Sequence, residues 1–144
     1  MHNEIVLIVD DDDIDHALLK RLLKQISPRP EVISLYDGDE AIEWLETVAN
    51  GGRTSSPLPS VILLDLHMPR VDGYAVMRSL DAMLEKTPWL PRVFVMLCEG
   101  ARLERDQCQK FMCVAGFVTK HPSSGQELMT ILRPYLQSKH NLDQ

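Results

Sequence analysis

Ile5-Val6-Leu7-Ile8-Val9 runs directly into Asp10-Asp11-Asp12-Asp13, and this junction decides how the chain reads. A continuous apolar run rich in β-branched residues suits a strand buried on both faces. It stops abruptly at the acids. Beyond them Ile14, Leu18, Leu22 and Ile26 recur every four residues, with Leu19 and Leu23 beside them. That spacing predicts an amphipathic helix. Asp12 or Asp13 is available as its N-cap, and Ser27-Pro28-Arg29-Pro30 stops it.

The same grammar repeats down the chain. Val32–Tyr36 is a second short strand, and Asp37-Gly38-Asp39 turns into a helix marked by Ala41, Ile42, Leu45 and Val48. Asn50–Ser60, rich in Gly, Ser and Pro, reads as a solvent-exposed linker. Val61–Leu64 is a third buried strand, ending in Asp65. After Met68-Pro69 and Asp72-Gly73 a third helix carries Val76, Met77, Leu80 and Leu84. Pro88 and Pro91 bracket a loop. Val93–Leu97 is a fourth strand, ending at Cys98, and a fourth helix is expected over Leu103–Val114. Gly116–Thr119 is a fifth strand, ending at Lys120. Leu128, Ile131, Leu132, Tyr135 and Leu136 line a last helix.

Five strands alternating with five helices predict an α/β fold with a parallel sheet covered on both faces. In such sheets ligands bind beyond the carboxyl ends of the strands. The residues at those ends are Asp10 and Asp11, Asp65, Cys98 and Lys120. Clustered carboxylates repel one another, and burial raises their cost. A cation relieves both effects, and oxygen ligands with room for water suit Mg²⁺. A lysine opposite such a cation would balance a dianionic phosphoryl group. Carboxylates, Mg²⁺ and a lysine together describe phosphoryl transfer to or from an aspartate. Asp12, Asp13 and Asp15 read instead as helix-start acids on a solvated surface.

Composition bounds the rest. The 144 residues suit one domain, read as 1–144 with a core of about 4–137. Hydrophobic residues make up 44% and charged residues 25%, which excludes general disorder. Lys and Arg number 15 against 21 Asp and Glu, a formal net charge of −6, which argues against nonspecific nucleic-acid binding. Asp10, Asp11, Asp12, Asp13, Asp15 and Asp65 equal that whole excess, so a nearly neutral domain carries one anionic edge. Cys98, Cys108 and Cys113 are odd in number and lack CxxC spacing, so a disulfide framework or zinc site is not expected. No apolar run approaches the roughly 20 residues of a membrane span, and no signal peptide is evident. A cytoplasmic protein without direct nucleic-acid or membrane contact is the expectation.

At this point the residues resemble the receiver domains of two-component response regulators, whose fold is the doubly wound, flavodoxin-like sheet. Ile8-Val9-Asp10-Asp11-Asp12 is similar to their first strand and acidic pair. Leu63-Leu64-Asp65-Leu66-His67-Met68-Pro69-Arg70-Val71-Asp72-Gly73-Tyr74 resembles their phosphoacceptor segment, and Lys120 their lysine. The resemblance runs from about Glu4 to Leu136. It implies that Asp65 accepts a phosphoryl group from a phosphohistidine. It implies that Asp10, Asp11, Asp65 and the backbone carbonyl of His67 hold Mg²⁺. Lys120 would pair with Asp65 and then with the phosphoryl oxygens. Pro69 and Gly73 would shape the turn into the third helix.

Three positions depart from the family pattern. Cys98 stands where a Thr or Ser is usual, and a thiol donates more weakly than a hydroxyl. Phe117 takes the place of the aromatic switch residue, often Tyr, and has no hydroxyl. His121 intervenes between Lys120 and Pro122, so a cis bond would sit at His121-Pro122 or be absent. His67 is either a solvated residue or a modulator of dephosphorylation, and a redox role for Cys98 is the lesser alternative to its switch role.

The resemblance implies a non-enzymatic phosphorelay receiver fed by a sensor histidine kinase or phosphotransfer protein. The sequence leaves little chain beyond the last predicted helix, so output is expected through partner or self association. A homodimer would use the face of the fourth helix, fifth strand and fifth helix. Two alternatives remain: a pseudo-receiver that binds partners without phosphorylation, and a haloacid-dehalogenase-type Mg²⁺ aspartyl phosphohydrolase.

Overall fold

The computed structural model describes residues 4–50, 58–86, 92–120 and 125–142. The elements are β1 (Ile5–Val9), α1 (Asp13–Leu23), β2 (Glu31–Leu35), α2 (Gly38–Ala49), β3 (Val61–Asp65), α3 (Gly73–Leu84), β4 (Val93–Leu97), α4 (Arg102–Cys108), β5 (Val114–Thr119) and α5 (Gly125–Leu142). The five strands form one parallel sheet in the order β2-β1-β3-β4-β5. The doubly wound reading of the sequence is therefore the fold.

Alternation along the strands divides the core into two layers. Leu7, Val9, Ile62, Leu64, Val93, Val95 and Leu97 face one layer, packed with Leu45 of α2 and Val76, Met77 and Leu80 of α3. Val6, Ile8, Val61, Leu63, Phe94 and Met96 face the other, with Leu19, Leu22 and Leu23 of α1 and Leu128, Leu132 and Leu136 of α5. Every residue of β1, β3 and β4 is buried, which is why these strands read as unbroken apolar runs.

Several expectations shift. Ile14 is 74% exposed, so the apolar stripe of α1 does not begin there. The buried line runs instead through Asp15, Leu19, Leu22 and Ile26, with His16 and Leu23 beside it. Two polar residues occupy core-facing positions, and the four-residue recurrence at Ile14 and Leu18 misplaces the face by one residue. β2 begins at Glu31 and ends at Leu35, because Tyr36 leaves the sheet to stack on His16 with ring centroids 4.1 Å apart.

α4 is shorter than expected, ending at Cys108 rather than reaching Val114. The Asp81 carboxylate of α3 accepts the backbone N–H groups of Met112 and Cys113, each at 3.0 Å. The Val93 N–H donates to the Cys113 carbonyl at 3.0 Å. These bonds draw the segment into the sheet, and β5 starts at Val114 instead of Gly116. α5 extends to Leu142, past the expected end near Leu136, and contains Pro134. The linker expected over Asn50–Ser60 and the Pro88–Pro91 loop lie largely outside the described residues, as does the His121-Pro122 bond. The cis bond among the described residues is Ser27-Pro28.

Candidate phosphoacceptor site

β1 and β3 are paired in parallel, Val9 beside Leu64, so Asp10 and Asp65 emerge at the same edge of the sheet. β5 lies two strands from β3, and Lys120 continues its ladder by donating its N–H to the Leu97 carbonyl at 2.7 Å. Its side chain reaches the two acids. The Nζ atom lies 3.0 Å from Asp65 Oδ1, 3.3 Å from Asp15 Oδ2 and 3.5 Å from Asp10 Oδ2.

Burial sets the chemistry of this cluster. Asp10 is fully buried and Asp65 nearly so. Burial pushes the Asp10 carboxyl up to about 7; a bond from the Asp12 N–H opposes the rise, and the nearby Asp65 charge adds to it. Burial alone would lower the hold of Lys120 on its proton. The hydrogen bond and charge of Asp65, followed by the charges of Asp10 and Asp15, outweigh it and hold the ammonium protonated well above its ordinary range.

The turn after β1 is fixed locally. Asp10 Oδ1 accepts the Asp12 N–H at 2.9 Å, and Asp12 caps α1 by accepting the Ile14 N–H at 2.8 Å. Buried His16 donates from Nε2 to the Asp10 carbonyl at 2.7 Å. The turn after β3 is fixed by close packing. A Cβ on Gly73 would stand 2.6 Å from the Asp65 carbonyl oxygen and 2.8 Å from Leu66 Cα, both backbone atoms, so only glycine fits there. Its N–H donates to the Leu66 carbonyl at 2.9 Å, and Asp72 caps α3 through the Ala75 N–H. Arg70 takes a positive φ of 67° within this turn and pairs with Asp37 at 3.6 Å.

Oxygens of Asp10, Asp11 and Asp65 lie within 4.8 Å of one another, a group able to hold a metal ion. Asp65 Oδ2 is buried and lacks a hydrogen-bond partner. Hard oxygen donors, an orphaned buried carboxylate oxygen and exposed Asp11 at the rim fit a hydrated Mg²⁺.

The remaining sequence candidates are arranged around this cluster. His67 donates its N–H to Asp65 Oδ1 at 3.3 Å, while its exposed ring bonds Glu104 of α4 at 2.5 Å. Cys98 is exposed and lines a cavity of about 590 Å³ shared with Gly100, Arg102, Arg105, Phe117 and Thr119. The Arg105 guanidinium lies 4.8 Å above the half-buried Phe117 ring. Cys108 and Cys113 are buried thiols, as expected.

The site contains one acid that sequence reasoning placed elsewhere. Asp15 is 3% exposed and ion-paired with Lys120, not part of a solvated helix start. Its position four residues before Leu19, at the head of the buried stripe, was the available signal. Asp12 and Asp13 are exposed, as read. His16 was also missed, because a single buried histidine leaves no periodic trace.

The response regulator receiver domain family matches residues 6–133. The chain belongs to that family. Its fold is that of a receiver domain, the phosphorelay module of two-component signal transduction, and the haloacid-dehalogenase alternative is set aside. Response regulator Rcp1 of Synechocystis sp. (strain ATCC 27184 / PCC 6803 / Kazusa) is 33% identical over 103 residues, covering 72% of this chain and 66% of Rcp1. The probable methanogenesis regulatory protein FilR2 of Methanothrix harundinacea is 33% identical over 76 residues, covering 53% of this chain and 47% of FilR2. The chain thus spans about half to two thirds of the length of these two relatives.

Solved structures agree in fold. The bacteriophytochrome response regulator AtBRR superposes with a TM-score of 0.70 at 24% identity, over 94% of each chain. The receiver domain of sensor histidine kinase PA1611 from Pseudomonas aeruginosa PAO1, with a magnesium ion coordinated in its active-site cleft, gives 0.72 at 19% identity over 93% of this chain and 98% of that one. No helix among the described residues is long and apolar enough to cross a membrane.

Proposed function

We propose that this receiver domain takes a phosphoryl group onto Asp65 from a phosphohistidine and signals by association. The observation that carries the reading is the meeting of Lys120 Nζ with Asp65 Oδ1 at 3.0 Å, beside the Asp10–Asp11–Asp65 group. In the transfer, a carboxylate oxygen of Asp65 forms a bond to phosphorus as the nitrogen–phosphorus bond breaks. A donor imidazole protonated on its other nitrogen leaves as the neutral ring. Asp10, Asp11, Asp65 and the His67 carbonyl would hold Mg²⁺, which when bound offsets negative charge on the carboxylates and phosphoryl oxygens. Lys120 transfers one of its N–H donors from Asp65 to a phosphoryl oxygen. Cys98 offers a weak S–H donor in the place of a hydroxyl.

The donor is a sensor histidine kinase or a phosphotransfer protein. Output runs through the α4–β5–α5 face to a partner or a second copy, supported by Leu103 of α4, which is 71% exposed. The described elements are read as a single receiver domain with a core of about 4–137, working in the cytoplasm without nucleic-acid contact. A second reading, a pseudo-receiver that docks partners without phosphorylation, is favoured by Phe117, which lacks a hydroxyl and packs under Arg105.

Incubation with phosphoramidate and Mg²⁺, followed by intact-mass measurement, separates the two. Gain of one phosphoryl group by the wild type and none by Asp65→Asn supports the phosphoacceptor reading. Folded protein that gains nothing supports the pseudo-receiver.

A further inference from the structure

Asp15 has no role in the family resemblance, yet it is more deeply placed than Asp11, which does. Its side chain is not needed to start α1, because Asp12 already caps the helix. At 3% exposure it occupies a core-facing position that an apolar residue would fill at no electrostatic cost. Its Oδ2 lies 3.3 Å from Lys120 Nζ, nearer than the 3.5 Å of Asp10 Oδ2. It stands outside the group of acids whose oxygens gather within 4.8 Å. The cation it faces is the Lys120 ammonium, and its other neighbour is the Asp10 carboxyl, with which it shares a hydrogen bond.

An ammonium has three N–H donors. Asp65, Asp15 and Asp10 place three carboxylates within 3.5 Å of the Lys120 ammonium and crowd its donors. A phosphoryl oxygen must displace one of them. The charge balance points the same way. With a divalent cation bound and Asp10, Asp11, Asp15 and Asp65 all ionised, the pocket with its one ammonium carries one net negative charge. Without Asp15 the same cation would bring the pocket to neutrality. The extra charge favours a cation and opposes an arriving phosphoryl anion.

We propose that Asp15 is a positioning residue that draws the Lys120 ammonium toward α1, strengthening cation binding and restraining phosphoryl capture at Asp65. The second half rests on the phosphoacceptor reading; the first does not. A residue that merely packs α1 against the sheet would weaken both properties when changed. A residue that partitions Lys120 and adds charge moves them in opposite directions.

The test uses Asp15→Asn and Asp15→Glu in the full chain. Mg²⁺ affinity is measured by calorimetric titration at fixed pH without a phosphodonor, and phosphorylation by mass with phosphoramidate at saturating Mg²⁺. Asp15→Asn is expected to weaken Mg²⁺ binding roughly three- to tenfold, the size of one partly screened charge near a divalent ion. The same variant is expected to phosphorylate several-fold faster. Asp15→Glu, which keeps the charge, should return both toward wild type. Parallel loss of both properties in Asp15→Asn, or failure of Asp15→Glu to restore either, overturns the proposal. If the wild type takes up no phosphoryl group, the phosphoacceptor reading falls, and unchanged Mg²⁺ affinity in Asp15→Asn would overturn the cation half as well.

Discussion

Replacing Asp10 by Asn should stabilise the metal-free protein, and the gain should grow with pH. Asp10 is completely buried, and its carboxyl titrates near 7 in the fold against 3.8 in the unfolded chain. A group with a raised folded pKa favours folding below its unfolded pKa and loses that contribution as pH climbs through the folded value. At pH 8, holding Asp10 ionised costs on the order of 4 kcal/mol, since each pKa unit is worth about 1.4 kcal/mol. At pH 5 the same linkage gives under about 2 kcal/mol, and below pH 3 almost nothing. Asn keeps the Oδ1 that accepts the Asp12 N–H but loses the 3.5 Å contact with Lys120. The Asn Nδ2 donors then face the Lys120 ammonium with no acceptor, which takes back about 1 kcal/mol.

A net gain on the order of 3 kcal/mol remains at pH 8. It corresponds to an upward shift of about 1–3 M in urea midpoint, given slopes of roughly 1–3 kcal/mol/M. Urea melts of both proteins in EDTA at pH 5 and pH 8 read it directly. Saturating Mg²⁺ should shrink the difference at pH 8, because a cation beside Asp10 favours its ionised form. A variant less stable than wild type at pH 8, or a difference independent of pH, would refute the reasoning.

Other perturbations have equally definite outcomes. Gly73→Ala forces a methyl against the Asp65 carbonyl and Leu66 Cα; a loss of about 1–3 kcal/mol is expected from urea melts, with slower phosphorylation by mass. Asp81→Ala removes the acceptor of the Met112 and Cys113 N–H groups; both amides should then exchange faster with solvent deuterium, at a stability cost of about 1–3 kcal/mol. Cys98→Thr supplies a stronger donor at the end of β4; it should phosphorylate faster or hold phosphate longer, and an unchanged or slower rate counts against that account.

The sheet was legible because burial on both faces makes β1, β3 and β4 apolar runs, and β1 and β3 run into acids at their carboxyl ends. The site was legible for the same reason: parallel strands deliver Asp10, Asp65 and Lys120 to one edge wherever the intervening helices lie. Periodicity failed where polar side chains enter the core. Ile14 and Asp15 exchange the positions that hydrophobicity assigns them, because the Lys120 ammonium gives Asp15 a partner that only the fold supplies. The end of α4 was hidden likewise, since it depends on Asp81, distant in sequence, capturing two backbone N–H groups. The Arg105–Phe117 stack and the His67–Glu104 bond are pairings between elements and leave no local pattern.

The central claim, that Asp65 is the acceptor, is tested most directly by locating the phosphoryl group. Borohydride reduces an aspartyl phosphate to homoserine. The protein is phosphorylated with acetyl phosphate and Mg²⁺, reduced, digested and sequenced by tandem mass spectrometry. Homoserine at position 65, absent when acetyl phosphate is omitted, is the predicted result. An intact aspartate at 65 with homoserine at another acid would contradict it.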